Sequence, residues 1–321
     1  MPLLKSTYDP PAIFRNYHIS TIYASKFRQI PKTSQTRERL TLEDGDFIDL
    51  DWSYSKSCRS NRVLIILHGL DGHAQRPYML GLARYFNLNA WDVVAINFRG
   101  CSGEINRLYR SYNAGASEDL SQVVDHVLAK NKYEALAVNG FSLGGNLVLK
   151  YLGEGNSLPE ELKAGVAISS PCDLYGSLKR LDEKKNWLYS KRFVLLLKQQ
   201  LRLRERHFPE QLTKADISAC SNLYSIDELY TSKAHGFKDA MDYYDKSSAL
   251  QYIPNIKIPT LLINAENDGF LSAESTPKEM ALSNPSFFLE TPKYGGHVGF
   301  LQKKKETYTE ERALEFISSY L

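Results

Sequence analysis

Short, continuously apolar runs recur along the chain, and each successive pair leaves room for a helix between its members. These runs occupy residues 63–67, 93–96, 136–138, 166–168, 260–263 and 287–289. An apolar run of this length without polar alternation is typical of a strand buried on both faces of a parallel sheet. Residues 117–130 lie between two such runs and place their apolar side chains at helical spacing. The pattern predicts an α/β fold, with a mostly parallel central sheet flanked by helices.

Three other segments complete the predicted organisation. Residues 39–42 and 47–52 flank an Asp-Gly pair and predict an antiparallel hairpin before the first buried strand. The proline-containing residues 1–37 predict an irregular N-terminal arm packed on the body. Residues from about 175 to 250 lack a buried-strand run and have helical patterning, which predicts a helical cap inserted into the α/β domain of residues 38–321.

The strand predicted at 136–138 runs directly into a G-x-S-x-G motif. Its residues are Gly140, Phe141, Ser142, Leu143 and Gly144, and a helical pattern follows them. In a sharp strand-to-helix turn of this kind, the serine has a strained backbone and its hydroxyl stands above the carboxyl edge of the sheet. Ser142 is therefore the candidate nucleophile.

A base and an acid follow in the order that this kind of site requires. A serine hydroxyl needs a base to become a good nucleophile, and the base needs an orienting carboxylate. Asp268 and His297 each follow one of the last two predicted strands, so both face the same sheet edge as Ser142. Asp173, after the strand at 166–168, is an alternative acid, but we favour Asp268 because of its position after the penultimate strand.

The remaining site predictions concern the oxyanion and metals. The backbone N–H of Leu143 and that of Leu70, in the loop after the first buried strand, are the candidate oxyanion donors. His68 and His73 have no third ligand at metal spacing, so we expect them to shape a loop rather than hold zinc. No metal and no organic cofactor is expected.

Composition excludes several other classes of protein. The chain has 40 Lys and Arg against 37 Asp and Glu, a balance that argues against a nucleic-acid partner. Its longest apolar runs are too short for a membrane span, and the first residues do not resemble a secretory signal. Cys58, Cys101, Cys172 and Cys220 are scattered, as expected for free thiols in a reducing compartment. We expect a cytoplasmic protein; the sequence does not indicate its oligomeric state.

The predicted cap carries an uneven charge. Residues 179–214 contain eleven Lys and Arg and four Asp and Glu, so this segment alone has a charge of +7. We favour a cap whose apolar side covers the active site and whose basic side faces water. The alternative is peripheral contact between the basic cap and an anionic membrane or lipid surface.

With these motifs, the chain resembles the YheT-like branch of the α/β-hydrolases, also called the AB-hydrolase 4 group of esterases. The resemblance covers nearly the whole chain and is carried by residues 11–18, 37–46, 68–72, 97–104, 142–146, 150–154, 235–237, 242–244 and 295–300. It implies the α/β-hydrolase fold and a triad of Ser142, Asp268 and His297. Gly269 stands where the family usually has proline, a departure expected to loosen the loop that carries the acid.

The predicted function is serine carboxylesterase chemistry. Together, the residues and the resemblance predict hydrolysis of a small-molecule ester with a short- to medium-chain acyl group, through an acyl-enzyme. Two alternatives remain. One is an acyltransferase, in which an alcohol instead of water takes the acyl group. The other is a ligand-binding protein that keeps a hydrolase pocket but has little turnover.

Overall fold

The computed structural model describes residues 2–56 and 60–321, and a nine-stranded sheet forms its centre. The strands are β1 Leu3–Leu4, β2 Thr36–Thr41, β3 Phe47–Ser53, β4 Arg62–Leu67, β5 Asp92–Asn97, β6 Ala135–Phe141, β7 Leu162–Ile168, β8 Thr260–Ile263 and β9 Phe287–Glu290. Their order across the sheet is β1-β9-β8-β7-β6-β4-β5-β3-β2. Only the β5–β3 and β3–β2 pairs are antiparallel, so the predicted mostly parallel sheet is confirmed.

Helices cover both faces of the sheet, as the continuous apolar runs require. The helices are α1 Tyr17–Ile22, α2 Pro77–Leu88, α3 Ser117–Leu128, α4 Leu143–Gly153, α5 Leu174–Leu181, α6 Trp187–Glu205, α7 Lys214–Ala219, α8 Leu223–Ile226, α9 Ser232–Ala234, α10 Ala240–Ser247, α11 Lys278–Ser283 and α12 Tyr308–Ser318. Along β4, Ile65 and Leu67 pack on the side of α3 and α4, while Leu64 and Ile66 pack on the side of α2 and α12. Both faces of β4 are therefore buried away from solvent.

The segment between β7 and β8 is helical. Helices α5 to α10 lie there, in the region predicted to form a cap. The longest of them, α6, spans 19 residues, and its Phe193, Val194 and Leu197 pack against the core below. Its Leu195 and Leu203 are exposed, so this helix buries one stripe and presents the other outward.

The N-terminal arm is more regular than expected. Its first strand, β1, pairs in parallel with β9 at the edge of the sheet, and α1 follows it. Strand β2 begins at Thr36, so the predicted boundary after residue 37 falls inside the hairpin. The expectation of an irregular arm is therefore wrong. The sequence did not indicate these elements because a two-residue strand and a six-residue helix are too short to give a recognisable period.

Two further expectations concern membranes and cysteines. Within residues 2–56 and 60–321, no helix combines the length and the apolar character needed to cross a bilayer. Cys101, Cys172 and Cys220 carry free thiols. Cys58 lies outside the described residues.

Candidate active site

Ser142 occupies the sharp turn between β6 and α4. Its backbone angles are φ 54° and ψ −121°, a conformation that side-chain-bearing residues rarely adopt. A Cβ atom on Gly140 would collide with the carbonyl of Gly144, so the turn can be this tight only with glycine at position 140. The turn places Ser142 at the carboxyl end of β6 and immediately before the first residue of α4.

The structure brings Ser142, His297 and Asp268 together in one chain of hydrogen bonds. Ser142 Oγ lies 2.8 Å from His297 Nε2, and His297 Nδ1 lies 2.8 Å from Asp268 Oδ2. The carboxylate only accepts, so Nδ1 carries the ring proton and Nε2 is left to accept from the serine hydroxyl. Asp268 Oδ1 accepts a further hydrogen bond from the Phe270 N–H at 2.9 Å. Both carboxylate oxygens are therefore occupied.

The alternative acid lies elsewhere. Asp173 caps the N-terminus of α5, where its Oδ1 accepts from the Gly176 N–H at 3.1 Å. Its Oδ2 accepts from the Ser272 hydroxyl at 3.1 Å. The geometry therefore pairs His297 with Asp268 and gives Asp173 a capping position.

The two predicted oxyanion donors flank the serine. Leu143 begins α4, whose free amides and dipole give its N-terminus a partial positive charge. The loop of Leu70 passes close to Ser142, since a Cβ on Gly69 would stand 2.9 Å from the Ser142 Cβ. No group in the described part of the chain accepts a hydrogen bond from the amide of Leu70 or Leu143. Both N–H groups are thus available to a ligand.

Comparisons with known proteins agree with this architecture. The family profile of the α/β hydrolase fold matches residues 62–304. "Putative esterase YheT" of Escherichia coli (strain K12) is 33% identical over 98% of this chain and 94% of its own length. The chain belongs to the YheT-like branch of the α/β-hydrolase family.

More distant relatives extend the comparison. Phospholipase ABHD3 of Mus musculus is 27% identical over 99% of this YheT-like chain and 80% of its own length. The crystal structure of the Pyrococcus furiosus esterase PF2001 superposes with a TM-score of 0.61 at 19% identity, covering 98% of this chain and 97% of that one. The superposition shows the α/β-hydrolase fold.

The N-terminal arm of this YheT-like chain contacts the loop that carries His297. The sequence did not indicate these contacts. Thr21 Oγ1 accepts from the His297 N–H at 2.9 Å. Asn267 Oδ1 accepts from the Gly296 N–H at 3.0 Å, and its Nδ2 donates to the Arg15 carbonyl at 3.0 Å. Asn267 was within reach of sequence reasoning because it directly precedes Asp268. Thr21 gave no signal, since 276 positions separate it from its partner.

The loop after Asp268 is held in place despite the glycine at position 269. The Gly269 carbonyl accepts from Asn186 Nδ2 at 2.7 Å. The Phe270 ring packs against the His297 imidazole, with ring centroids 4.5 Å apart. The expected loosening is therefore offset by contacts from the cap and from the loop itself.

His68 shapes the loop before the oxyanion donor. It is fully buried; its Nε2 accepts from the Phe98 N–H at 3.2 Å and its Nδ1 donates to the Gly69 carbonyl at 2.8 Å. Burial lowers its pKa to about 3, so the ring is neutral. Among the described residues, no three His, Cys, Asp or Glu side chains are grouped to hold a metal ion.

Two cavities meet at the serine. Both are lined by Ser142, Leu70 and His297. The smaller has a volume of about 130 Å³, and its walls include Leu174, Leu178, Leu181, Leu197 and Leu223. The larger has a volume of about 520 Å³ and lies between the arm, the loop of residues 69–76 and helix α6. Ser142 can thus contact both parts of a substrate that spans the two cavities.

Proposed function

We propose that this chain is a serine carboxylic-ester hydrolase that works through an acyl-enzyme on Ser142. The observation that carries the proposal is the unbroken hydrogen-bond chain from Ser142 Oγ through His297 to Asp268. Two relatives, an esterase and a phospholipase by name, support ester hydrolysis as the reaction class.

In the first half of the reaction, Ser142 Oγ attacks the ester carbonyl carbon while His297 Nε2 takes the hydroxyl proton. The carbon–oxygen bond to the alcohol then breaks, and the same imidazolium gives its proton to the leaving oxygen. Asp268 keeps the ring in the required tautomer and stabilises its positive charge.

In the second half, a water molecule attacks the acyl-enzyme. His297 Nε2 takes one proton from the water, and the carboxylic acid leaves as that proton returns to Ser142 Oγ. In both halves the carbonyl oxygen becomes negatively charged. The amides of Leu70 and Leu143 would donate to it, and losing one such donor typically lowers the rate about a hundredfold or more.

The acyl group belongs in the smaller cavity. Its leucine-rich walls favour a hydrocarbon chain, because burying apolar surface is favourable and the walls offer few polar partners. Its volume of about 130 Å³ supports short- to medium-chain acyl groups.

The test is covalent labelling. Intact-mass spectrometry after incubation with a fluorophosphonate should find one adduct on the wild type and none on Ser142→Ala. Ser177→Ala is a matched control, since this buried serine hydrogen-bonds to the Ser275 hydroxyl and the Ser272 amide and, within the described residues, forms no hydrogen bond with His297. Wild type without an adduct, or Ser142→Ala with unchanged hydrolysis of a butyrate ester, would contradict the proposal.

A further inference from the structure

The larger cavity beside Ser142 is strongly cationic. Four cationic side chains line it, and Asp71 is the one carboxylate among its lining residues. The cations are Lys26 from the arm, Arg76 from the loop before α2, Lys185 from the segment before α6, and Arg192 from α6 itself. Three separate parts of the chain thus direct positive charge into one cleft next to the nucleophile.

Two of these cations are not held in an ion pair. Arg76 lies 3.3 Å from Asp71, and Lys185 lies 3.1 Å from Glu183. Lys26 and Arg192 form no ion pair and no side-chain hydrogen bond with any residue in the ranges 2–56 and 60–321. One comes from the arm and the other from the cap, so the unpaired charges stand on two sides of the cleft.

The electrostatics of the cleft favour the binding of an anion. Burial and then the guanidiniums of Arg76 and Arg192 lower the pKa of Lys26. The same three cations act to lower the pKa of Asp71, although burial raises it overall. Like charges in one cleft repel one another, and the attraction of each cation to a bound anion would offset that repulsion.

The smaller cavity differs in charge from the cationic cleft, and this difference orients the ester. Apart from two tyrosines, the ionisable side chains that line the smaller cavity are those of Asp227 and His297. A hydrocarbon chain therefore fits the leucine-lined side, and a charged group fits the cationic side. An ester placed across Ser142 with its acyl chain in the smaller cavity has its alcohol part in the cationic cleft.

We infer that the substrate's alcohol part carries a phosphate group, which Lys26 and Arg192 bind across the cleft. This inference rests on the serine hydrolase function proposed above and names the substrate class for that site. Phosphate matches the pair because guanidinium binds phosphate oxygens in a bidentate fork and an ammonium contributes a compact charge. The phosphate can belong to a soluble phosphorylated alcohol or to a lipid headgroup.

The test compares two esters that differ only in the phosphate, 1-butyrylglycerol 3-phosphate and 1-butyrylglycerol. We expect the wild type to have about a tenfold or greater preference in kcat/KM for the phosphate ester at low ionic strength. Lys26→Gln and Arg192→Gln should each lower that preference about tenfold, mainly through KM. Arg202→Gln is the matched control: it lies about 15 Å further along α6 and lines neither cavity beside Ser142, so the preference should stay unchanged.

The outcomes separate this inference from the proposed function. Hydrolysis of both esters with no preference, or a preference that survives in both Lys26→Gln and Arg192→Gln, overturns the phosphate site and leaves the esterase intact. If neither ester is hydrolysed, titration calorimetry with glycerol 3-phosphate decides. Binding that Arg192→Gln weakens supports the site, and no binding overturns it.

A final experiment distinguishes the two sources of the phosphate. Lysophosphatidic acid in phosphatidylcholine vesicles presents the same group on a lipid. Faster hydrolysis of the dissolved butyryl ester supports a soluble phosphorylated alcohol, and faster hydrolysis of the vesicle lipid supports a headgroup.

Discussion

Replacing Thr21 with valine tests whether the N-terminal arm positions His297, the proposed catalytic base. The buried Thr21 hydroxyl accepts from the His297 N–H at 2.9 Å and donates to the Tyr17 carbonyl at 2.6 Å. Valine keeps the shape of the side chain but removes the acceptor. The buried amide of His297 then has no partner, which costs about 1–3 kcal/mol. If the whole of that free energy is added to the activation barrier, kcat falls about 5- to 150-fold.

The assay measures kcat on a neutral butyrate ester together with the free energy of unfolding in urea. Loss of kcat with little change in unfolding free energy means that the imidazole has shifted, whereas loss of stability alone means that the arm only anchors the loop. Thr21→Ser keeps the hydroxyl and should stay close to wild type in both measurements. Wild-type kcat and wild-type stability in Thr21→Val would refute the reasoning.

Three further predictions concern the triad, the core and the smaller cavity. Asp268→Asn should lower kcat about 10⁴-fold while Asp173→Asn lowers it less than tenfold, and equal losses in steady-state assays would contradict the assignment of the acid. Arg99→Leu leaves the buried Asp119, its partner at 2.6 Å, without a counter-charge, so the unfolding free energy in urea should fall by about 3–5 kcal/mol. Burial raises the pKa of Asp227 to about 6, so the contribution of this group to wild-type stability should fall as pH rises from about 4 to 6, by at most about 3 kcal/mol. Asp227→Asn should remove this contribution, and identical pH dependence of the urea midpoint in both proteins would count against it.

Sequence reasoning worked best where a feature is local. The buried strands were predicted because each continuous apolar run reports burial on both faces, and the structure has a strand at every predicted run. The turn at Ser142 was predicted because its glycine spacing is the direct consequence of backbone crowding. Asp268 and His297 could be placed near it because successive parallel strands end at one sheet edge.

The sequence did not predict contacts that join distant segments through short elements. Strand β1 has two residues, and no period can be read from two residues. Thr21 holds the amide of His297, but nothing in the local pattern around a threonine in a six-residue helix indicates such a partner. The position of Asp268 after the penultimate strand already favoured it over Asp173 as the acid, and the fold adds the contacts, in which Asp268 pairs with His297 and Asp173 caps a helix.

By itself the sequence determined the α/β architecture, the turn that presents Ser142 and the order of the candidate triad, because hydrophobic period and glycine spacing are short-range properties of the chain. Only the tertiary structure decided how the arm and the cap close over that serine. It divided the space beside Ser142 into a leucine-lined cavity and a cationic cleft, and it brought Lys26 and Arg192 to the same cleft. Cavities and charge clusters of this kind are formed by side chains far apart in sequence, so their shape depends on packing that no local pattern encodes.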